Sequence, residues 1–135
     1  MSAEAYVVDT HALVWRAVGL RRRFGDRSHD VFERFDGGAL TLYVPAMVLA
    51  EVASLERRGG LRMRSSFRRW WNEMETAGAV GIPLEIDDVL RARELDWNHR
   101  EMSDRLIVAT ALRLDLPLVT ADRAIAEWGG IEVIW

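Results

Sequence analysis

Short runs of β-branched and aliphatic residues alternate along the chain with longer segments whose apolar positions are three or four residues apart. The short runs predict buried strands at 6–8, 40–44, 80–83, 116–120 and 131–134. The longer segments predict helices at 10–18, 28–35, 45–58, 63–75, 88–95 and 104–114. Short apolar strands that alternate with helices are typical of a parallel sheet covered on both faces. The pattern therefore predicts an α/β fold.

Length and composition fit one folded domain over residues 1–135. Half of the 135 residues are hydrophobic and 29% are charged, which is typical of globular rather than disordered sequences. The chain has no cysteine, which excludes disulfides, thiolate zinc sites and a cysteine nucleophile. All 18 basic residues are arginine, which excludes a Schiff-base lysine and a P-loop lysine.

The N-terminal residues and the hydropathy pattern give no sign of export or membrane insertion. Residues 1–4 carry no basic side chain, and the first apolar run is soon interrupted by Asp9 and His11. No apolar stretch approaches the roughly 20 residues that a membrane-spanning helix needs. We therefore expect a cytoplasmic protein that does not span a membrane.

Two acidic residues follow predicted strands. Asp9 comes directly after the first strand, and Asp122 lies two residues beyond the strand that ends at Thr120. In an open parallel sheet, ligands bind outside the carboxyl ends of the strands, where the strand order reverses. Each residue could instead cap the helix that follows it, because aspartate is a preferred N-cap.

Two further acidic residues lie on predicted helices. Asp104 shares a helix side with apolar residues, so its charge needs compensation from the positive helix end or from a bound cation. Glu51 lies beside an apolar helix stripe and could pair with Arg58 or join the same site. Several carboxylates in one site repel one another unless they are protonated or bridged by a metal ion. Oxygen ligands favour Mg²⁺ or Mn²⁺, which suit hydrolysis of a phosphodiester by an activated water.

Four segments, in this order, resemble the motifs of PIN-domain nucleases, and most of all the VapC-type toxins of type II toxin–antitoxin pairs. They are Tyr6–Thr10, Val44–Val52, Ser103–Ala111 and Leu118–Ile125. The resemblance spans nearly the whole chain. It implies a PIN-like three-layer α/β/α sandwich with a parallel sheet of about five strands, and RNA cleavage that depends on Mg²⁺ or Mn²⁺.

The resemblance also implies which residues form the site. The matching catalytic and metal-binding residues are Asp9, Glu51, Asp104 and Asp122, with Thr10 and Thr120 as supporting hydroxyls. Glu101 and Met102 stand where a common subgroup has an Asp-Pro pair. The further acidic residue that some relatives carry soon after the fourth motif is missing, so the number of metal ions stays open.

RNA contacts require a positive surface, because the net charge of the chain is −3. The candidate RNA-binding residues are Arg21, Arg64, Arg68 and Arg69. Such runs of arginine are also common on ordinary solvated surfaces. His11 and His99 are interpreted as structural or RNA-contacting residues rather than metal ligands, since their spacing suggests no metal site.

The resemblance favours a toxin with an RNA substrate, a cognate antitoxin and a homodimeric state. A housekeeping RNA-processing nuclease and a PIN-like module that binds RNA or protein without cutting remain alternatives. A phosphoaspartyl hydrolase of the haloacid-dehalogenase kind is set aside, because it needs an aspartate where His11 stands and usually a lysine. A response-regulator receiver fails for the same lack of lysine.

Overall fold

A computed structural model describes residues 4–135, so the first three residues of the predicted domain lie outside the described residues. The strands are β1 (Ala5–Val8), β2 (Thr41–Pro45), β3 (Ala79–Ile82), β4 (Leu118–Val119) and β5 (Val133–Ile134). The helices are α1 (Thr10–Ala17), α2 (Asp26–Asp36), α3 (Ala46–Arg57), α4 (Phe67–Ala77), α5 (Ile86–Glu94), α6 (Met102–Leu114) and α7 (Arg123–Trp128). A 3₁₀ turn spans Arg21–Arg23.

All five strands in the described part of the chain form one parallel sheet, in the order β3-β2-β1-β4-β5. With helices on both faces, this is the three-layer α/β/α sandwich that the sequence predicts. The chain builds the sheet outward from β1 to β2 and β3, and then crosses to β4 and β5 on the other side. The strand order therefore reverses between β1 and β4, which is where such sheets bind their ligands.

Aliphatic side chains of the central strands form the core. Val7, Val8 and Leu42 have no exposed surface, and Leu118 and Val119 are equally buried. Near-continuous apolar runs are expected of parallel strands that have helices on both faces. These buried strands fix where the carboxyl edge of the sheet lies.

Several helix boundaries differ from the sequence-based prediction. Helix α4 begins at Phe67 rather than at 63, because the Ser66 hydroxyl accepts a hydrogen bond from Arg69 N at 3.2 Å and caps it. Helix α6 begins at Met102 with Glu101 as its N-cap, two residues before the predicted start at 104. Helix α5 is capped at Glu85, whose amide donates to Asp88 at 3.0 Å. Helix α7 is a short element whose bounds the hydrophobic pattern did not give, although the capping interpretation of Asp122 implies a helix at this position.

A buried ion pair joins α5 to α6. Asp88 is only 1% exposed and accepts hydrogen bonds from Arg113 Nε at 2.7 Å and Nη2 at 3.1 Å. Burial acts to raise the pKa of Asp88, but the hydrogen bonds and charge of Arg113 outweigh it, so the pKa lies below its usual value. The pair fixes how α5 lies against the helix that carries Asp104.

No helix within residues 4–135 is both long enough and apolar enough to cross a bilayer.

Candidate active site

Asp9 lies at the end of β1, where the sheet order reverses. Its backbone takes the extended conformation of an N-cap, and Oδ1 accepts a hydrogen bond from Ala12 N at 3.0 Å. Oδ2 accepts a hydrogen bond from the Thr120 hydroxyl, which comes from the end of the neighbouring strand β4. Asp9 therefore caps α1, as the alternative interpretation held, and also lies at the sheet edge.

Thr120 and Asp122 complete this edge on the β4 side. The Thr120 hydroxyl is buried and accepts a hydrogen bond from Asp122 N at 3.0 Å while it donates to Asp9. The Asp122 carboxylate accepts a hydrogen bond from Ala124 N at 2.8 Å and so caps α7. Thr120 thus connects the two aspartates through one hydroxyl group.

Glu51 reaches the site from the middle of α3. Its Oε1 accepts a hydrogen bond from the buried Thr10 hydroxyl at 2.6 Å. The alternative pairing with Arg58 is not formed, because Arg58 Nε donates instead to the Ser54 carbonyl of its own helix at 3.2 Å. Both hydroxyl residues predicted to support the acidic set therefore contact one of its members.

Asp104 lies in the first turn of α6, with its side chain 26% exposed. His99 Nε2 is 2.7 Å from Asp104 Oδ2. The prediction placed Asp104 on the apolar side of a buried helix. The structure confirms the buried helix, since every residue from 105 to 111 is buried. The Asp104 carboxylate lies at the positive end of this helix and also contacts His99.

All four predicted acidic residues line one cavity of about 260 Å³. Thr10 lines it too, and Thr120 supports it from behind through Asp9. The other residues that line the cavity are His11, His99, Glu101, Ser103 and Ile107. A larger cavity of about 460 Å³ lies elsewhere and is lined by residues of α1, α2 and the segment between them, with none of the four acids.

The four carboxylates share the cavity without converging on one point. Within residues 4–135, the group whose potential ligand atoms all lie within 4.8 Å of one another consists of His99, Glu101 and Asp104. The carboxylates of Asp9 and Asp122 are instead hydrogen-bonded to the helices that they cap, and the Glu51 carboxylate is hydrogen-bonded to Thr10. The donor set of carboxylates is nevertheless one that hard divalent cations prefer.

Burial has a strong effect on the ionisation of Asp9. It raises the pKa of Asp9 from 3.8 to about 6, and the nearby Asp104 charge adds a smaller increase. The hydrogen bonds from Thr120 and Ala12 N, together with His11, act in the opposite direction. Repulsion between the carboxylates was expected to be the main cause of a raised pKa. For Asp9 the larger cause is its burial away from water.

We expect Asp9→Asn to stabilise the metal-free protein at neutral pH. Between pH 3.8 and about 6 the folded state binds more protons at Asp9 than the unfolded state, so stability falls as pH rises through this window. The total loss is about 3 kcal/mol, and asparagine avoids it. Its carbonyl still accepts from Ala12 N, while its amide group takes the place of the oxygen that accepts from Thr120. Urea unfolding in EDTA should show a gain of up to about 3 kcal/mol at pH 7.5 that disappears near pH 3.5.

The exposed Asp115 provides the matched control, because Asp115→Asn removes the same charge from a solvated position. A large loss of stability in Asp9→Asn at pH 7.5 would contradict the prediction and would mean that the helix-capping role of the carboxylate dominates.

The role of Arg105 in α6 was not among the features predicted from the sequence. The guanidinium is buried and donates to five backbone carbonyls, which lie in the last turn of α5 and in the segment between α5 and α6. The acceptors are Ala92, Arg93, Leu95, Trp97 and His99, at 2.6–3.4 Å. A charged residue inside a helix that is apolar nearly all round was the available signal, because such a charge needs several partners.

The four candidate RNA-binding arginines are exposed but do not line the acidic cavity. Arg64 lies before α4, and Arg68 and Arg69 lie in its first turn, where Arg69 pairs with Glu73 at 3.3 Å. Arg21 lies in the 3₁₀ turn and lines the larger cavity. Any contact they make with a polynucleotide would therefore be outside the acidic cavity.

A comparison with protein families identifies the family to which the chain belongs. A family model described as PIN domain matches residues 6–130. No curated protein sequence matches the chain. The chain belongs to the PIN domain family.

Solved structures share the fold at low sequence identity. VapBC2 from Rickettsia felis bound to a DNA fragment from its promoter is 15% identical with a TM-score of 0.66, and 96% of each chain is covered. A toxin–antitoxin complex from Klebsiella pneumoniae is 18% identical with a TM-score of 0.65, over 99% of this chain and 97% of the other. VapC20 from Mycobacterium tuberculosis, a sarcin-ricin loop cleaving toxin, is 18% identical with a TM-score of 0.63, over 96% and 99%. These likenesses show the fold.

Proposed function

We propose that this chain, as one PIN-like domain over residues 1–135, is a metal-dependent endoribonuclease that acts as the toxin of a toxin–antitoxin pair. The observation that carries the proposal is the cavity at the strand-order reversal, which holds Asp9, Glu51, Asp104 and Asp122 together. This is the position where parallel sheets bind ligands, and the side chains there are of the type that holds a divalent cation.

The four acids would hold Mg²⁺ or Mn²⁺ in this proposal. Such an ion lowers the pKa of a water molecule and neutralises charge on a phosphate. Thr120 orients Asp9 by donating to Oδ2, and Thr10 orients Glu51 by donating to Oε1. Because both hydroxyls are buried, they hold the carboxylates in place without competition from solvent.

The raised pKa of Asp9 fits this role. A carboxylate that is costly to ionise in the metal-free protein, with a pKa of about 6, gains the most from a cation placed beside it. Below about pH 6, ion binding would therefore release a proton from Asp9, and the ion would stabilise the folded state more strongly as pH rises towards neutral. The cavity would therefore favour a bound cation and disfavour a bound anion.

The choice of RNA as the substrate rests on the solved structures that share this fold. One structural neighbour is a sarcin-ricin loop cleaving toxin, and others are toxin–antitoxin complexes. We propose RNA as the substrate, a cognate antitoxin as the partner and a cytoplasmic location. Arg21, Arg64, Arg68 and Arg69 are the proposed RNA contacts, since they are exposed and a phosphate backbone needs a positive margin.

We also propose that the chain forms a homodimer. Ile86, Val89 and Leu90 lie on one side of α5 and are 77%, 39% and 53% exposed. Leu84 just before the helix is 41% exposed. An exposed apolar surface of this kind is typical of an interaction site. Sedimentation velocity would test it: twice the 15.4 kDa chain mass supports the dimer, and the chain mass contradicts it.

The purified chain, freed of any partner, is expected to cleave RNA with Mg²⁺ or Mn²⁺ and to stop when EDTA is added. Activity should return when the same metal is added in excess of the chelator. Cleavage that continues in EDTA would contradict metal dependence. RNA binding without cleavage under every metal tested would favour the alternative of a PIN-like binding module.

A further inference from the structure

The His99 nitrogen and two carboxylates lie close together in the lining of the acidic cavity. The ligand atoms of His99, Glu101 and Asp104 lie within 4.8 Å of one another. Ligand atoms at about 2.1 Å from an octahedral ion are about 3 Å apart when adjacent and about 4.2 Å apart when opposite. In the metal-free structure His99 Nε2 and Asp104 Oδ2 are 2.7 Å apart in a hydrogen bond, and a bound ion would take the place of the proton between them.

Stacking fixes the orientation of the His99 ring. The imidazole lies parallel to Trp97, with the ring centroids 4.4 Å apart and the planes 9° apart. Trp97 stacks in turn on Trp128 at 5.2 Å, and the Trp128 indole donates to the Asp96 carbonyl at 2.8 Å. The ring is therefore held by two layers of aromatic side chains, and its Nε2 points at Asp104.

Arg105 fixes the backbone that carries the ring. Its guanidinium donates to the carbonyls of Trp97 at 2.6 Å and of His99 at 3.0 Å. Because Arg105 follows Asp104 directly in α6, the same turn of helix positions both the carboxylate and the histidine segment. A preorganised ligand loses little conformational entropy when a metal binds.

We propose that His99 is a nitrogen ligand of the metal centre, beside Asp104 and Glu101, and that the site therefore selects a first-row transition dication over Mg²⁺. The inference rests on the proposed metal site and adds to it the class of ion. It also replaces the interpretation of His99 as a structural or RNA-contacting residue.

The physical reason is the difference between nitrogen and oxygen ligands. Mg²⁺ is a hard ion that takes oxygen ligands and keeps its waters, whereas imidazole nitrogen suits first-row transition metals better. Mn²⁺ is the useful probe, because it accepts carboxylates as well as imidazole and is paramagnetic. One nitrogen ligand would therefore shift preference towards Mn²⁺ without excluding Mg²⁺.

The test uses the full chain loaded with Mn²⁺ alone. Pulsed electron paramagnetic resonance reports a ¹⁴N coupling when a histidine nitrogen binds Mn²⁺ directly. The chain has three histidines, so the variants His11→Gln, His29→Gln and His99→Gln account for all of them. His11 also lines the cavity, and His29 lies at the separate larger one, which makes them matched controls.

We expect the ¹⁴N coupling in the wild type and in the His11 and His29 variants, and its loss in His99→Gln. Mn²⁺ affinity should fall about tenfold or more in His99→Gln, since even the loss of an outer partner costs that much. Mg²⁺ affinity, measured by competition, should change far less. If His99→Gln does not fold, the wild-type and His11→Gln spectra still show whether a histidine other than His11 binds Mn²⁺ through nitrogen.

A wild-type spectrum with bound Mn²⁺ but no ¹⁴N coupling would overturn the inference and leave the proposed function standing. The same holds if the coupling is lost in His11→Gln and kept in His99→Gln. Absence of any Mn²⁺ binding, with no difference between the wild type and Asp104→Asn, would contradict both the inference and the metal-dependent function.

Discussion

Asp104→Asn is expected to lower the rate of RNA cleavage by at least about 1,000-fold, because loss of roughly 4 kcal/mol of metal-assisted stabilisation has that effect. The variant should fold normally, since asparagine has nearly the same shape and can keep a hydrogen bond to His99, whose Nε2 lies 2.7 Å from Asp104 Oδ2 in the structure. RNA affinity should stay the same or increase, because one negative charge near the phosphate is removed. Single-turnover cleavage and filter binding on one preparation measure both quantities.

Asp115→Asn is the matched control at the other end of the same helix. Asp115 is exposed and has a left-handed backbone with φ of 54°, a conformation that asparagine also tolerates. This variant should cleave RNA at the wild-type rate. If Asp104→Asn also cleaves at that rate, a contaminating nuclease explains the activity and the chain itself does not cut.

Arg105→Met is expected to destabilise the protein by about 4 kcal/mol, because it removes a buried guanidinium and leaves several backbone carbonyls without a partner. For a chain of this size, that corresponds to a fall in Tm of roughly 15 °C. Arg105→Lys should restore little, since one ammonium has three donors and cannot match five acceptors spread over residues 92–99. Differential scanning calorimetry measures these differences.

Arg100→Met provides the control in the same segment, because Arg100 is exposed. Its Tm should stay within a degree or two of the wild type, as for most surface substitutions. A Tm of Arg105→Met that equals that of Arg100→Met would contradict the role of Arg105 as the residue that fixes this segment.

The parts of the site that local pattern determines could be predicted from the sequence. Asp9 and Asp122 follow apolar runs that can only be buried strands, so their place at the carboxyl edge of the sheet follows from the strand pattern. The parallel sheet and its helix layers were predicted correctly for the same reason. Glu51 was placed on the right helix, although its contact with Thr10 rather than Arg58 depends on how α3 lies against α1.

The remaining features depend on contacts between distant parts of the chain. Thr120 donates to Asp9 across 111 positions of sequence, which no local pattern contains. The aromatic stack beside His99 includes Trp128 from α7, which lies 29 positions further along the chain and contacts His99 only through Trp97. The role of Arg105 was missed because helical periodicity shows which side of a helix a residue lies on but not which loop folds over that side.

The chemistry of the cleaved RNA ends tests the central claim most directly. Reaction in ¹⁸O-labelled water, followed by mass spectrometry of a short RNA product, identifies the group that attacks phosphorus. Attack by water directed from the acidic cavity predicts a 3′-hydroxyl on one fragment and a 5′-phosphate that carries one ¹⁸O atom on the other, with no product in EDTA. A 2′,3′-cyclic phosphate without label would show that the ribose hydroxyl attacked, and would contradict a metal-dependent hydrolytic site built from Asp9, Glu51, Asp104 and Asp122.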